Sequence, residues 1–278
     1  MDTETHTQLA NHAWSVADLL RGDYKQSDYG KVILPFTVLR RLECVLEPTR
    51  EKVCEVVAQY AGADLDLDPF LRRASGTAFY NVTDLTLKKV LGDPAYVAKN
   101  LIEYIGGFSE NAAEVLEKYE FAQQVRKLDG AGLLYQVVGK FADLDLHPDR
   151  VSNHNMGYVF EELIRRFAEQ SNETAGEHFT PREVIELMVN LLIAPDAELL
   201  RSAGATRRIL DPACGTGGML SAAEEHIKQL SPDVRVEVFG QELNPESWGI
   251  WRAGRMVKGQ GARPHAVGNT VSQGGRKD

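Results

Sequence analysis

The stretch Arg208–Leu220, RILDPACGTGGML, decides how the second half of the chain is read. A short apolar strand runs into Asp211, then Pro212, then a turn holding Gly215, Gly217 and Gly218, and then the helical segment MLSAAEEHIKQL. In open parallel sheets such turns lie at the carboxyl ends of strands, where glycine lets the backbone approach a ligand closely. A nucleotide, a dinucleotide and a methyl donor all use turns of this kind, and a plain tight connection is the structural alternative. A phosphate loop needs Gly-Lys-Ser/Thr, and no Lys follows these glycines. A dinucleotide fingerprint puts Gly or Ala where this chain has Leu220, and the turn is short for a pyrophosphate.

The next strand narrows the choice. VRVEVFGQEL alternates Val234, Val236 and Val238 inward and ends at Glu242, where an acid can accept hydrogen bonds from ribose hydroxyls. A glycine turn plus that acid, without Lys, favours S-adenosylmethionine, whose sulfonium and ribose call for acids and whose binding needs no phosphate anchor. As a plain structural reading, Glu242 is an acid at the start of the following helix, stabilised by its dipole, and the two readings are compatible. That helix, NPESWGIWRAGRMVKG, is expected to have Asn244 as its cap and Pro245 at its first position. PHAVGNT is expected to hold a third short strand, and strands alternating with helices imply a parallel sheet.

Upstream the pattern is helical. Tyr29–Glu47 reads as an apolar helix that Pro35 starts or kinks, and AAEVLEKYEFAQQVRKL and GAGLLYQVVGKFADLDL read as further amphipathic stretches. Met156, Val159, Phe160, Leu163, Ile164 and Phe167 recur at helical spacing and mark one buried face. After the polar SNETAGE comes HFTPREVIELMVNLL, expected to be capped by Thr180, with Pro181 at the first helical position and Glu183 closing a capping box. Its expected buried face is Val184, Ile185, Met188, Leu191 and Leu192.

Composition is that of a globular protein, 43% hydrophobic and 26% charged over 278 residues, enough for about two domains. No apolar run approaches the ~20 residues of a membrane span. Three scattered cysteines form neither a disulfide framework nor a metal pattern, which fits a reducing cytoplasm. The net charge of −9 argues against this chain alone gripping a nucleic acid backbone tightly. From Trp251 onward there are six basic residues against one acid, Asp278, so the part before carries −14. That tail fits a phosphate-facing surface and equally a solvated helix face.

EHFTPREV, DPACGTGGML and GQELNPESW, in that order and spacing, resemble the modification (methyltransferase) subunit of type I restriction-modification systems. VILPFTVLRRLE resembles that family's helical N-terminal domain, and NMGYVFEELIRRFAE its bridging helix, so the likeness covers essentially the whole chain. The resemblance implies an α/β fold class: an all-helical N-terminal domain (1–148), then the first strands of a Rossmann-like S-adenosylmethionine-dependent methyltransferase domain (149–278). It also implies a cytoplasmic adenine-N6 DNA methyltransferase whose partners are double-stranded DNA, a specificity subunit that reads bases and a restriction subunit that cleaves. Two methyltransferase subunits per specificity subunit are expected.

Carried over to this sequence, Glu177, His178, Phe179, Thr180, Pro181 and Arg182 would line the donor pocket, with Phe179 against the cofactor and the Thr180-Pro181 helix start at its carboxylate end. Asp211, Gly215, Thr216, Gly217 and Gly218 would form the turn around the methionine moiety, Glu242 would hold the ribose, and Asn269 would lie near the adenine. His178 also fits a half-exposed helix-entry residue. Cys214 is expected to be a packed side chain and not a nucleophile, because Ala213 separates it from Pro212. No metal site and no catalytic residue is expected in this chain.

Adenine-N6 transfer needs Asn/Asp-Pro-Pro-aromatic, which holds the exocyclic amine and stacks on the flipped base. Asn244-Pro245 is followed by Glu246, Asp68-Pro69 by Phe70, and Asp93-Pro94 by Ala95, and no Pro-Pro pair occurs. The expectation is therefore the N-terminal part of such a subunit, inactive in transfer by itself. The alternative is a non-catalytic module that contacts DNA or the specificity subunit.

Overall fold

The computed structural model describes residues 3–170, 180–196, 206–259 and 266–272. By packing, the chain divides into two units: Met1–Ser171 with Arg252–Ala262, and Asn172–Trp251 with Arg263–Asp278.

The first unit is helical: α1 (Thr3–Trp14), α2 (Val16–Leu20), α3 (Gly30–Leu46), α4 (Arg50–Gln59), α5 (Asp68–Ser75), α6 (Leu87–Leu91), α7 (Val97–Gly106), α8 (Glu110–Lys118), α9 (Phe121–Gly130), α10 (Leu134–Ala142) and α11 (Asn153–Gln170). An apolar helix with no polar face must lie inside, and α3 does, packed among α9, α10 and α11. Its Phe36 meets Phe121 edge-on at 4.7 Å and stacks on Phe141 at 5.1 Å, arrangements that suit aromatic quadrupoles. Pro35 lies in the second turn of α3 and does not start it. The AAEVLEKYEFAQQVRKL stretch forms two helices, because the backbone of Glu120 turns left-handed (φ 51°) between α8 and α9. On α11, Met156, Val159, Phe160, Leu163 and Ile164 are buried as the periodicity predicts, and Phe167 packs 5.0 Å from Trp14 of α1.

Arg41 is the unusual residue of this unit. It is fully buried on α3, and its guanidinium is solvated by backbone and amide oxygens. Nη1 donates to the carbonyls of Leu146 and of Val151 (2.9 Å), Nη2 to Asn153 Oδ1 (2.7 Å), and Nε to the Val257 carbonyl (3.3 Å). One side chain thereby joins α3 to the 143–152 connection, the start of α11 and the 252–262 segment. Burial lowers its pKa to about 10, so it stays charged at neutral pH.

The second unit contains α12 (Arg182–Ile193), β1 (Thr206–Asp211), α13 (Gly218–Leu230), β2 (Arg235–Glu242), the first part of α14 (Pro245–Val257) and β3 (Ala266–Val267). The three strands are parallel in the order β1-β2-β3, with Ile209 opposite Val238, Asp211 opposite Gly240, and Glu242 opposite Val267. Ile185, Val189 and Ile193 of α12 form one core with Ala223 and Ile227 of α13 and with Val234. Cys214, Leu220, Val238 and Trp251 form another.

Two expectations for α12 are corrected. The helix begins at Arg182 with Pro181, extended at ψ 139°, as N-cap, so Thr180 does not cap it and no capping box forms. Of the expected buried face only Ile185 is buried, joined by Val189 and Ile193. Val184, Met188, Leu191 and Leu192 are exposed. The helix is apolar on more than one side, so periodicity alone does not select a face; its contact with α13 does. At the start of α14, Asn244 caps as expected, its Oδ1 accepting from the Glu246 N–H (2.8 Å) and the Ser247 N–H (3.4 Å). No helix among the described residues is long and apolar enough to cross a membrane.

Candidate functional site

The candidate site is built at the carboxyl ends of the three parallel strands of the second unit. β1 ends at Asp211, and the register places Asp211 beside Gly240, two residues before Glu242. Asp211 Oδ1 accepts from the Ala213 N–H (3.1 Å), which bends the chain into the glycine turn. The Cys214 N–H donates to the Gln241 carbonyl (3.0 Å), stitching that turn to β2. Glu242 then joins the two strand ends: Oε2 accepts from the Gly215 N–H (2.8 Å) and Oε1 from the Asn244 N–H (2.8 Å). Each carboxylate oxygen keeps a further lone pair for a ligand donor.

The third strand closes the group. The Gly268 N–H donates to the Glu242 carbonyl (2.9 Å), Gln241 Nε2 to the Gly268 carbonyl (3.2 Å), and the Thr270 hydroxyl to the Pro212 carbonyl. Asn269 therefore lies on a loop tied to the first turn, and its Oδ1 accepts from the Val271 N–H (2.9 Å) within that loop.

The glycines divide by what surrounds them. Gly215 (φ +54°) has open space where a side chain would stand. Gly217 (φ +81°) lies against the indole of Trp251, and a Cβ there would fall 1.7 Å from Trp251 Cδ1. A Cβ on Gly218 would meet Ile185 Cδ1 at 2.9 Å, and one on Gly240 would meet Cys214 Sγ at 2.7 Å. The Gly218 contact brings Ile185, in the first turn of α12, next to the glycine turn. Arg182 is exposed and donates to Glu186 (3.0 Å), with Glu225 of α13 at 3.6 Å. Glu177, His178 and Phe179 lie outside the described residues. Trp251 and Gly240 were not singled out from the sequence. A glycine inside a strand pattern is a signal of close approach, whereas nothing local marks Trp251.

Electrostatically the site is acidic. Burial, opposed by the Ala213 N–H and reinforced by the charge of Glu242, raises the pKa of Asp211. Burial, with Asp211 and Glu242 nearby, pushes the Cys214 thiol up to about 12, so it is protonated and unsuited to nucleophilic attack. A carboxyl whose folded-state pKa is raised penalises folding fully above that pKa. The penalty is relieved as pH falls through the raised value toward the ordinary Asp range. Asp211→Asn is therefore expected to raise the thermal midpoint of this unit at neutral pH and to reduce its acid-side stability gain. Calorimetric melts between pH 7 and 4 check this; an unchanged profile would count against the assignment. Among the described residues no group of three or more His, Cys, Asp or Glu is placed to hold a metal ion.

The chain combines a helical unit with a small α/β unit whose parallel strands carry the candidate site at their carboxyl ends. Residues 9–141 match the HsdM N-terminal domain family, and residues 151–274 match the N-6 DNA Methylase family. The chain belongs to the family of methylase subunits of type I restriction-modification systems. It is 25% identical over 271 residues to the type I restriction enzyme MjaIX methylase subunit of Methanocaldococcus jannaschii, covering 92% of this chain and 46% of that protein. It is 34% identical over 145 residues to the EcoEI methylase subunit of Escherichia coli, covering 52% of this chain and 26% of that protein. The crystal structure of the type I restriction-modification methyltransferase subunit from Streptococcus thermophilus superposes with a TM-score of 0.69 at 20% identity, over 96% of this chain and 59% of that one. The chain thus spans about half the length of the first of these relatives, or less for the second.

Proposed function

We propose that this chain is the donor-binding part of an adenine-N6 DNA methyltransferase subunit, with S-adenosylmethionine held across the ends of β1 and β2. The carrying observation is Glu242, whose carboxylate bridges the Gly215 and Asn244 N–H groups while Gly215 faces open space. The paired carboxylates of Asp211 and Glu242 suit a ligand with cationic centres and a ribose diol and give no anchor for phosphate. Glu242 would accept from the ribose hydroxyls, and Asp211 would attract the cationic end. Gly215 and Thr216 would let the backbone come close, with Gly217 and Gly218 shaping the turn behind them. Thr180, Pro181 and Arg182 would bound the carboxylate end, completed by Glu177, His178 and Phe179, and Asn269 would stand near the adenine. The bound donor supplies an electrophilic methyl group on sulfur.

We place the functional boundary at 148/149, between a helical domain (1–148) and the first part of the catalytic domain (149–278), a division supported by the matched ranges 9–141 and 151–274. As a subunit it would act in the cytoplasm with a specificity subunit, a restriction subunit and double-stranded DNA, two methylase subunits to one specificity subunit. Because these 278 residues lack Asn/Asp-Pro-Pro-aromatic, the chain would bind the donor without transferring methyl to adenine.

Titration calorimetry with S-adenosylmethionine tests the first statement. Saturable 1:1 binding is expected, weakened tenfold or more in Glu242→Gln, since a hydrogen bond to a charged group contributes roughly 1.5–3 kcal/mol. Absence of binding by the folded chain would overturn the reading. Labelled methyl appearing on DNA adenine with this chain alone would overturn the second.

A further inference from the structure

A single indole lies between the two backbone segments that carry the candidate donor site. Trp251, on the part of α14 that belongs to the second unit, is 2% exposed and shares a core with Cys214, Leu220 and Val238. Its five-membered ring faces Gly217, where a Cβ would fall on Cδ1 and Nε1. The far edge of its six-membered ring faces Gly240, where a Cβ would stand 2.9 Å from Cη2 and 3.0 Å from Cζ3. Each end of the ring system therefore meets backbone that has room for glycine alone. Gly217 belongs to the glycine turn, its N–H donating to the Cys214 carbonyl (2.8 Å). Gly240 is paired with Asp211 and stands two residues before Glu242. The hydrogen bond from the Gly215 N–H to Glu242 Oε2 (2.8 Å) spans the same two segments.

We propose that Trp251 is a positioning residue: its indole is a rigid spacer that sets the gap between the glycine turn and the end of β2, and with it the reach from Gly215 to Glu242. The proposal rests on the donor-site reading of Glu242 and adds to it a residue that acts from beneath the site. A planar bicyclic ring has no internal torsion, so its two ends keep a fixed separation, whereas an aliphatic side chain changes its length with its rotamer. A binding site depends on such support, because its groups must be held within about 0.5 Å of their productive geometry by packed neighbours. Phenylalanine in place of Trp251 keeps the Gly217 end filled and leaves the Gly240 end empty, so β2 can relax toward the turn.

Trp251→Phe is measured beside wild type and Ile227→Val, a control in the other core of the unit. In the donor-free proteins, hydrogen exchange of the Gly215 amide is expected to quicken fivefold or more in Trp251→Phe relative to the α13 amides, which report opening of the whole unit. Calorimetry at a temperature where circular dichroism shows all three folded is expected to give S-adenosylmethionine binding weakened fivefold or more by Trp251→Phe and unchanged by Ile227→Val. Should Trp251→Phe not fold, the wild type carries the test: the indole N–H resonance of Trp251 is expected to shift on saturation with S-adenosylmethionine. Wild-type affinity in Trp251→Phe, equal weakening in the control, Gly215 exchange that only follows α13, or an unmoved Trp251 resonance each overturns the proposal. If the wild type binds no S-adenosylmethionine, the donor reading falls alone, and the Gly215 exchange still decides the spacer.

Discussion

Arg41→Met is expected to cost the helical unit about 3–5 kcal/mol, a large share of the roughly 5–15 kcal/mol that holds a domain together. The cost does not come from a lost ion pair, because the guanidinium is held by the carbonyls of Leu146, Val151 and Val257 and by Asn153 Oδ1. Methionine fills much of the volume but donates nothing, so several buried acceptors lose their partner at about 1–3 kcal/mol for each left unsatisfied. Arg41→Lys keeps a charge yet cannot reproduce the planar fork that reaches three separate segments, so it falls between wild type and methionine. Hydrogen exchange of the α3 amides in rising urea reads the loss directly. A change below about 1 kcal/mol for methionine would show that the network adds little.

Gly217→Ala is expected to destabilise the second unit by about 2–4 kcal/mol, whereas Gly215→Ala costs about 1 kcal/mol. Both glycines have positive φ, so both substitutions carry the left-handed penalty. Only at 217 would the added methyl fall on the ring of Trp251, itself 2% exposed and packed with Cys214, Leu220 and Val238. The indole cannot yield without opening that core. The binding result is expected in the opposite order among folded variants. Gly215→Ala puts its methyl into the open space of the candidate donor site and weakens S-adenosylmethionine binding tenfold or more at little cost in stability. Chemical denaturation and calorimetry on the same two proteins separate the effects. Equal stability losses at 215 and 217 would remove the distinction between a packing glycine and a ligand-facing one.

Much of this protein is legible along the chain, because helical spacing and strand alternation are local. The face of α11, the β-α-β order around Asp211, the Asn244 cap and the position of Glu242 at a strand end each follow from residues within a few turns of one another. So does the family likeness carried by DPACGTGGML and GQELNPESW. The tertiary structure decided which of several apolar sides α12 buries, since its contact with α13 and not its own periodicity makes that choice. It also decided that Arg41 lies inside among carbonyl and amide oxygens, because these acceptors stand more than a hundred residues away in sequence. The sequence by itself placed RILDPACGTGGML at the end of a strand and called for glycine there. Only the packed fold divided that need, giving Gly217 to Trp251 and leaving Gly215 facing open space, because what a missing Cβ makes room for is set by residues distant in the chain.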